Sequence, residues 1–308
     1  MTTRLTVLVT GASSGIGRAT ATEFARQGHL VFAAARREEV LAGLAATSPN
    51  IQPVGLDVTD EGSVHRAWAK IEAATGGAGV DVLVNNAGFA LAGPVEILGA
   101  PQVQRQFATN VFGLLTVTRA VLPAMRARKS GRIINLSSLV GRTTFPSMGV
   151  YGATKYAVEA LSDALRQEVA GFGIKVVIIE PGFVATNIGQ AADANAGAGQ
   201  EIPHAYADMV ARGSRYLAAQ ITKGIAPEQV AAIIVKAAQQ PNPRLRYVVP
   251  AGARPLIALL TSLPGRLADR QNGARLPPPD HHPAQAVMAP AAHRLAASPS
   301  SRPPAAHS

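Results

Sequence analysis

The chain of 308 residues contains no cysteine. That removes disulfides and thiolate zinc sites and fits a cytoplasmic protein. Aromatic residues are scarce, at 5%, although 47% of the chain is hydrophobic. The apolar content is therefore mostly Ala, Val, Leu and Ile, which suits tight layering of helices on a sheet and offers few stacking surfaces for bases. A long basic run is also missing. The net charge is +10, yet the positive residues are scattered or in short groups such as Arg36-Arg37 and 126–129. Nucleic-acid binding asks for a basic stripe with a recognisable motif, and neither is present. An anionic cofactor or acyl substrate needs only a local cluster, and the remaining charge reads as solvated surface. Finally, no transmembrane segment is expected. PLIALLTSL (255–263), the longest apolar patch near the end, falls short of the ~20 residues that span a bilayer and could only lie against its surface. The opening MTTRLTVLVTGASSG leads straight into a glycine turn, so it reads as a strand and not a signal peptide.

What is present is rhythm. Short apolar runs at 5–10, 30–35, 51–58, 80–86, 131–138, 174–181 and 246–250 alternate with helical patterns at 16–27, 61–74, 103–128 and 151–172. Continuous Val/Ile/Leu strands are buried on both faces, as in a parallel sheet. Their alternation with helices predicts a doubly wound α/β layer with helices on both faces. One domain is expected over 1–270. Residues 187–223 break the rhythm with ADANAGAGQ and then a helix-like HAYADMVARGSRYL; an excursion of that length is functional or disordered. After about residue 271 the composition becomes Pro, Ala, Ser and His, which predicts a disordered tail over 271–308. Its His281-His282 pair has no partner ligands at useful spacing, so no metal is assigned.

TGASSGIG (10–17) ends the first strand and opens the first helix. Gly11 permits the sharp turn, Gly15 lets a pyrophosphate approach the backbone, and Gly17 lets the helix pack on the sheet. Ser13 and Ser14 add hydroxyls, and the helix N-terminus at Ile16 offers free N–H groups to phosphate. The bland alternative is a glycine turn that binds nothing. In this strand–turn–helix context a dinucleotide is the better reading. The second strand ends Ala35-Arg36-Arg37. An acid there would bind a ribose 2′-hydroxyl, whereas guanidinium groups match a 2′-phosphate. NADP(H) is therefore expected over NAD(H), with two ordinary surface arginines as the alternative.

YGATK places Tyr151 and Lys155 one helical turn apart on one face. A lysine ammonium near a phenol favours the phenolate. The spacing alone does not separate a catalytic pair from two ordinary helix residues.

Taken in order, TGASSGIG, LDVTD (56–60), NNAG (85–88), Asn110 in ATNVFG, NLSS (135–138), YGATK and PGFVAT (181–186) resemble the short-chain dehydrogenase/reductase family, over about 3–190 and more loosely to 270, in its hydroxysteroid dehydrogenase-like branch. The resemblance implies a Rossmann-type fold and a homo-oligomer, dimer or tetramer, packed through helices 103–128 and 151–172. It implies Tyr151 as general acid/base, Lys155 as its partner and a ribose ligand, Ser138 as carbonyl-polarising hydroxyl, and Asn110 as holder of a relay water. By the same resemblance Asp57 and Val58 contact adenine, Asn86, Ala87 and Gly88 line the cofactor, and Pro181, Gly182, Val184 and Thr186 lie along the nicotinamide. One departure is Ser14, which stands where NADP-preferring relatives often carry a basic residue.

The expected reaction interconverts a secondary alcohol and a ketone, or a primary alcohol and an aldehyde, on a hydrophobic substrate. The substrate site is expected among residues 139–149, 89–95 and the 187–217 excursion, a region made apolar by Phe89, Leu91, Val140, Phe145, Met148, Phe183 and Ile188. A carrier-protein 3-oxoacyl thioester reductase and a non-catalytic NADP-binding sensor or scaffold remain the alternatives.

Overall fold

Hydrophobic strand residues alternate between two faces, and each face is roofed by helices. The strands are β1 (Thr6–Thr10), β2 (Leu30–Ala35), β3 (Ile51–Gly55), β4 (Val82–Asn85), β5 (Gly131–Leu136), β6 (Ile174–Pro181) and β7 (Arg246–Val249). Among the described residues they form one sheet in the order β3-β2-β1-β4-β5-β6-β7, with every neighbouring pair parallel. This is the computed structural model of the chain, and it describes residues 3–186, 202–263 and 266–267. The expected tail with its histidine pair, the first part of the 187–223 excursion, and Ile188 lie outside the described residues.

The helices are α1 (Gly15–Arg26), α2 (Ala42–Ala45), α3 (Glu61–Ala74), α4 (Ala100–Phe107), α5 (Gly113–Ala127), α6 (Gly149–Val169), α7 (His204–Thr222), α8 (Pro227–Gln239) and α9 (Arg254–Ser262). Val7 and Val9 of β1 point to one face, where Phe24 of α1 and Val230 and Ile234 of α8 cover them. Leu8, between them, points to the other, under Val64 and Ile71 of α3 and Val117 and Val121 of α5. That period of two is the strand's own geometry. The stretch Ala100–Ala127 is long and apolar enough to cross a bilayer. Here its Val117, Val121 and Met125 are buried against the sheet.

Two sequence expectations are refined. Residues 103–128 form two helices, α4 and α5, joined by a π turn at Ala108–Phe112. Such a turn inserts an extra residue into the i→i−4 ladder, and a smooth helical period does not show it. The strand expected over 51–58 stops at Gly55, because Leu56 leaves the ladder after one bond to the Ala35 carbonyl. Chain order runs outward from β1 to β3 and then returns to β4 beside β1. A crevice therefore opens at the carboxyl ends of β1 and β4, the switch point where doubly wound sheets bind ligands.

Candidate active site

The glycine loop is stitched to β4 by side chains. The Thr10 hydroxyl accepts from the backbone N–H groups of Asn86 and Ala87, at 3.0 Å each. The Asn86 amide donates to the carbonyls of Thr10 at 2.9 Å and Gly11 at 3.2 Å. Gly11 has φ +66°, and a Cβ on it would stand 2.9 Å from the Ala87 Cα. A Cβ on Gly17 would collide with the Gly11 carbonyl and the Asn86 amide. Only glycine allows so close a loop, and the cleft it leaves is shaped for an anion over the α1 N-terminus. Ser13 and Ser14 stand exposed at that opening. These features fit a dinucleotide pyrophosphate.

Beside it, Arg36 and Arg37 are exposed just past β2. The nearest following acid, Glu38, is engaged elsewhere. It accepts from the Gly55 N–H at 3.0 Å and pairs with Lys70 at 2.9 Å. Lys70 holds the Glu38 carboxyl below its usual pKa. Asp57 lies beyond β3, its carboxylate accepting from the Thr59 backbone N–H and hydroxyl at 2.9 and 2.7 Å. Val58 is buried, and a Cβ on Gly113 would strike it.

Tyr151 and Lys155 lie in the first two turns of α6, 8% and 7% exposed. The Lys155 ammonium stands 5.8 Å from the centre of the Tyr151 ring and donates to the Leu136 carbonyl at 2.7 Å. Ser138, two residues past β5, donates to the Pro181 carbonyl at 3.4 Å and accepts from the Val140 N–H at 3.3 Å, and its hydroxyl acts to lower the Tyr151 pKa. Asn110 is buried in the π turn. Its amide donates to the Phe89 carbonyl at 2.9 Å and the Thr154 hydroxyl at 3.1 Å, while its carbonyl accepts from the Phe89 N–H at 3.0 Å. Thr154 in turn donates to the Tyr151 carbonyl at 2.7 Å. The extra residue of the π turn thus aims Asn110 across to α6.

Burial dominates the electrostatics of the Tyr151 and Lys155 pair. In the protein alone, burial pushes Tyr151 up to about 12, with only the Ser138 hydroxyl opposing it. Burial pulls Lys155 down to about 8, with the Glu159 charge acting the other way. Both shifts have the same physical origin: each group's charged form loses its water.

These residues open into a cavity of about 530 Å³. Of the expected cofactor residues, Ile16, Asn86, Gly88, Tyr151, Lys155, Pro181, Gly182, Val184 and Thr186 line it. Gly15 adjoins it, since a Cβ there would stand 3.2 Å from Thr186. Gly11, Gly17 and Ala87 support the loop from behind, while Arg36, Arg37, Asp57 and Val58 stand further along the strand ends. Phe89, Val140, Phe145, Met148 and Phe183 line the cavity as expected. Leu91 does not. It is fully buried and packs with Leu98 and Val150.

A family profile described as short chain dehydrogenase matches residues 5–197. The chain belongs to the short-chain dehydrogenase family. It is accordingly an oxidoreductase acting on CH–OH groups with a nicotinamide cofactor. This short-chain dehydrogenase is 36% identical over 243 residues to a 3-ketodihydrosphingosine reductase of Bacteroides thetaiotaomicron, covering 79% of this chain and 87% of the relative. It is 33% identical over 268 residues to an NADPH-dependent 3-dehydrocapnine reductase of Ornithobacterium rhinotracheale, covering 85% and 94%. A crystal structure of a short-chain dehydrogenase from Streptomyces avermitilis matches with a TM-score of 0.75 at 37% identity, covering 89% of this chain and 98% of that one. Other solved neighbours are complexes with NADP or NAD.

The far wall of this short-chain dehydrogenase's cavity comes partly from the 187–217 excursion expected there, through Tyr216 and Leu217 of α7. Sequence reading missed Ile221 of α7 and Leu256 and Ile257 of α9, which complete it. The Tyr216 ring meets Phe183 edge-on, at 6.1 Å between centres. No local motif marks these residues; only tertiary placement brings them over the site. Also missed was a buried polar relay under the central strands. The Asn85 amide donates to Thr118 and Asn135, at 3.0 and 2.9 Å, and Asn135 donates to Ser162 at 2.8 Å. It ties β4 and β5 to α5 and α6.

Proposed function

We propose that the protein is an NADP(H)-dependent reductase of a ketone on a hydrophobic, long-chain substrate, with Tyr151 as the proton donor. The observation that carries this reading is the convergence of the Tyr151 and Ser138 hydroxyls and the Lys155 ammonium on one apolar cavity beside the glycine loop.

The glycine loop, Asn86 and the Pro181–Thr186 segment would hold the cofactor. When bound, the cofactor supplies the hydride. The chain's own part is to orient the carbonyl and to hold and give a proton. Ser138 and Tyr151 both donate to the carbonyl oxygen, where negative charge develops. Tyr151, neutral well past physiological pH, carries the proton that the oxygen takes. Lys155 supplies the nearby positive charge that makes the resulting phenolate tolerable in a dry site. Asn110 holds the Phe89 backbone and, through Thr154, the first turn of α6. The apolar walls exclude water from the reacting centre.

Support for the substrate class comes from those walls and from the two relatives, whose names specify reductases of 3-ketodihydrosphingosine and 3-dehydrocapnine. Support for NADP comes from Arg36 and Arg37 and from the diversion of Glu38 to Lys70. In a panel of short- and long-chain ketones followed by NADPH absorbance, the long-chain ketones are expected to turn over with the higher kcat/KM. Tight NADPH binding without turnover on any ketone would point to the sensor instead. Arg36→Ala is expected to raise KM for NADPH by about tenfold, the scale of one charge-assisted phosphate contact, and to leave NADH little changed. A strong preference of the wild type for NADH ends the 2′-phosphate assignment.

The homo-oligomer also belongs here. The helical segments expected to pack between subunits expose Phe112 and Tyr156. Light scattering should give a dimer or tetramer, and a strict monomer would end the idea.

A further inference from the structure

The cavity has an apolar neighbour that the reaction does not use. Helix α9 turns Ile257 and Leu260 into the protein and leaves Leu256 and Leu259 42% and 51% exposed. Leu256 and Leu259 are three positions apart within the helix, so they share one side of it. Leu256 is also part of the cavity lining. The exposed stripe and the substrate cavity therefore meet at one residue.

Charge frames this stripe. Between Glu228 and Asp269 the chain has no Asp or Glu, and its charged residues there are Lys236, Arg244, Arg246, Arg254 and Arg266. Arg246 is engaged internally with Glu159, Asp163 and Glu180. Arg254 and Arg266 are exposed at either end of the leucines. Exposed leucines flanked by arginines, in a stretch of chain without acids, match the two layers of an anionic bilayer surface: acyl chains below, phosphate head groups above.

We propose that α9 seats this protein on an anionic lipid surface and that an amphipathic ketone enters the cavity from the lipid, past Leu256. The entry half rests on the function proposed above; the seating half does not. A second copy of the chain fits the same patch less well. A two-fold contact would set one arginine-flanked surface against another.

The test uses the full chain and sedimentation with vesicles of phosphatidylcholine alone or with about 30% phosphatidylglycerol, an anionic fraction large enough to give a surface potential. Binding to the anionic vesicles is expected to exceed binding to the neutral ones by about tenfold and to weaken with added salt. Leu259→Asp and Arg254→Glu, neither of which lines the cavity, should each lower that binding while turnover of a short, freely soluble ketone persists. Wild type that ignores anionic vesicles overturns the proposal. So does binding that both variants leave unchanged, which would place the contact elsewhere in the chain. Light scattering in which Leu259→Asp breaks an oligomer, with no vesicle binding by the wild type, assigns the patch to a second copy. Vesicle binding that responds to the variants, in a protein inert toward every ketone, would sink the proposed reaction and leave the seating intact.

Discussion

Tyr151→Phe should lower kcat by about 10²- to 10⁴-fold, the range a positioned proton donor contributes, while NADPH binding stays within a few-fold. The ring packs with Ala90, Val140, Phe145 and Met148, and phenylalanine keeps every one of those contacts. Only the hydroxyl is lost, with its interaction with Ser138. A cofactor titration by fluorescence and a steady-state assay on the same preparation separate the two effects. Turnover surviving within a few-fold would falsify the assignment of the proton to Tyr151.

The second large effect runs in opposite directions for stability and activity. Lys155→Met should abolish most turnover and yet raise the melting temperature at neutral pH. Burial lowers the Lys155 pKa from 10.5 to about 8. A shift of that size corresponds to about 3 kcal/mol of destabilisation while the lysine is charged in both states. Methionine fills similar volume and forfeits the bond to the Leu136 carbonyl, worth about 1 kcal/mol. The net gain of about 2 kcal/mol amounts to several degrees for a domain of this size. The sign follows from linkage. Between the folded value near 8 and the unfolded value of 10.5, the unfolded chain holds more protons, so wild-type stability rises with pH across that window. The variant lacks the rise. Its advantage is therefore greatest below about pH 8 and fades by about 10.5. Thermal melts of both proteins at pH 7 and pH 10 check this, and a lower midpoint for Lys155→Met at pH 7 contradicts it.

Much of the fold was legible because its signals are local. β2 and β6 have the bounds their apolar runs suggest, since strands buried on both faces announce themselves as near-continuous hydrophobic runs. The glycine loop was legible because each glycine answers a separate steric demand, and YGATK because helical spacing fixes which side chains share a face. The features that escaped depend on contacts between distant segments. Asn110 is named by the family resemblance, but the π turn that carries it toward Phe89 and Thr154 is not visible in the helical period. Leu91 is apolar and near the site in sequence, but it is buried with Leu98 and Val150 instead of lining the cavity. The upward pull of burial on Tyr151 could not be read from spacing, because it depends on packing in three dimensions. The walls from α7 and α9 have no motif at all.

Helix α7 places none of its residues in the hydrophobic core, although Tyr216, Leu217 and Ile221 form part of the cavity wall. Folding and selectivity therefore draw on different parts of the chain. Side chains along α7 can be exchanged at little thermodynamic cost, as is usual for residues outside a core. The proton-handling residues on β5 and α6 stay fixed meanwhile. For evolution, or for a designer with a library restricted to that helix, this is a replaceable cover over a constant reactor, through which one scaffold can drift from one lipid to another.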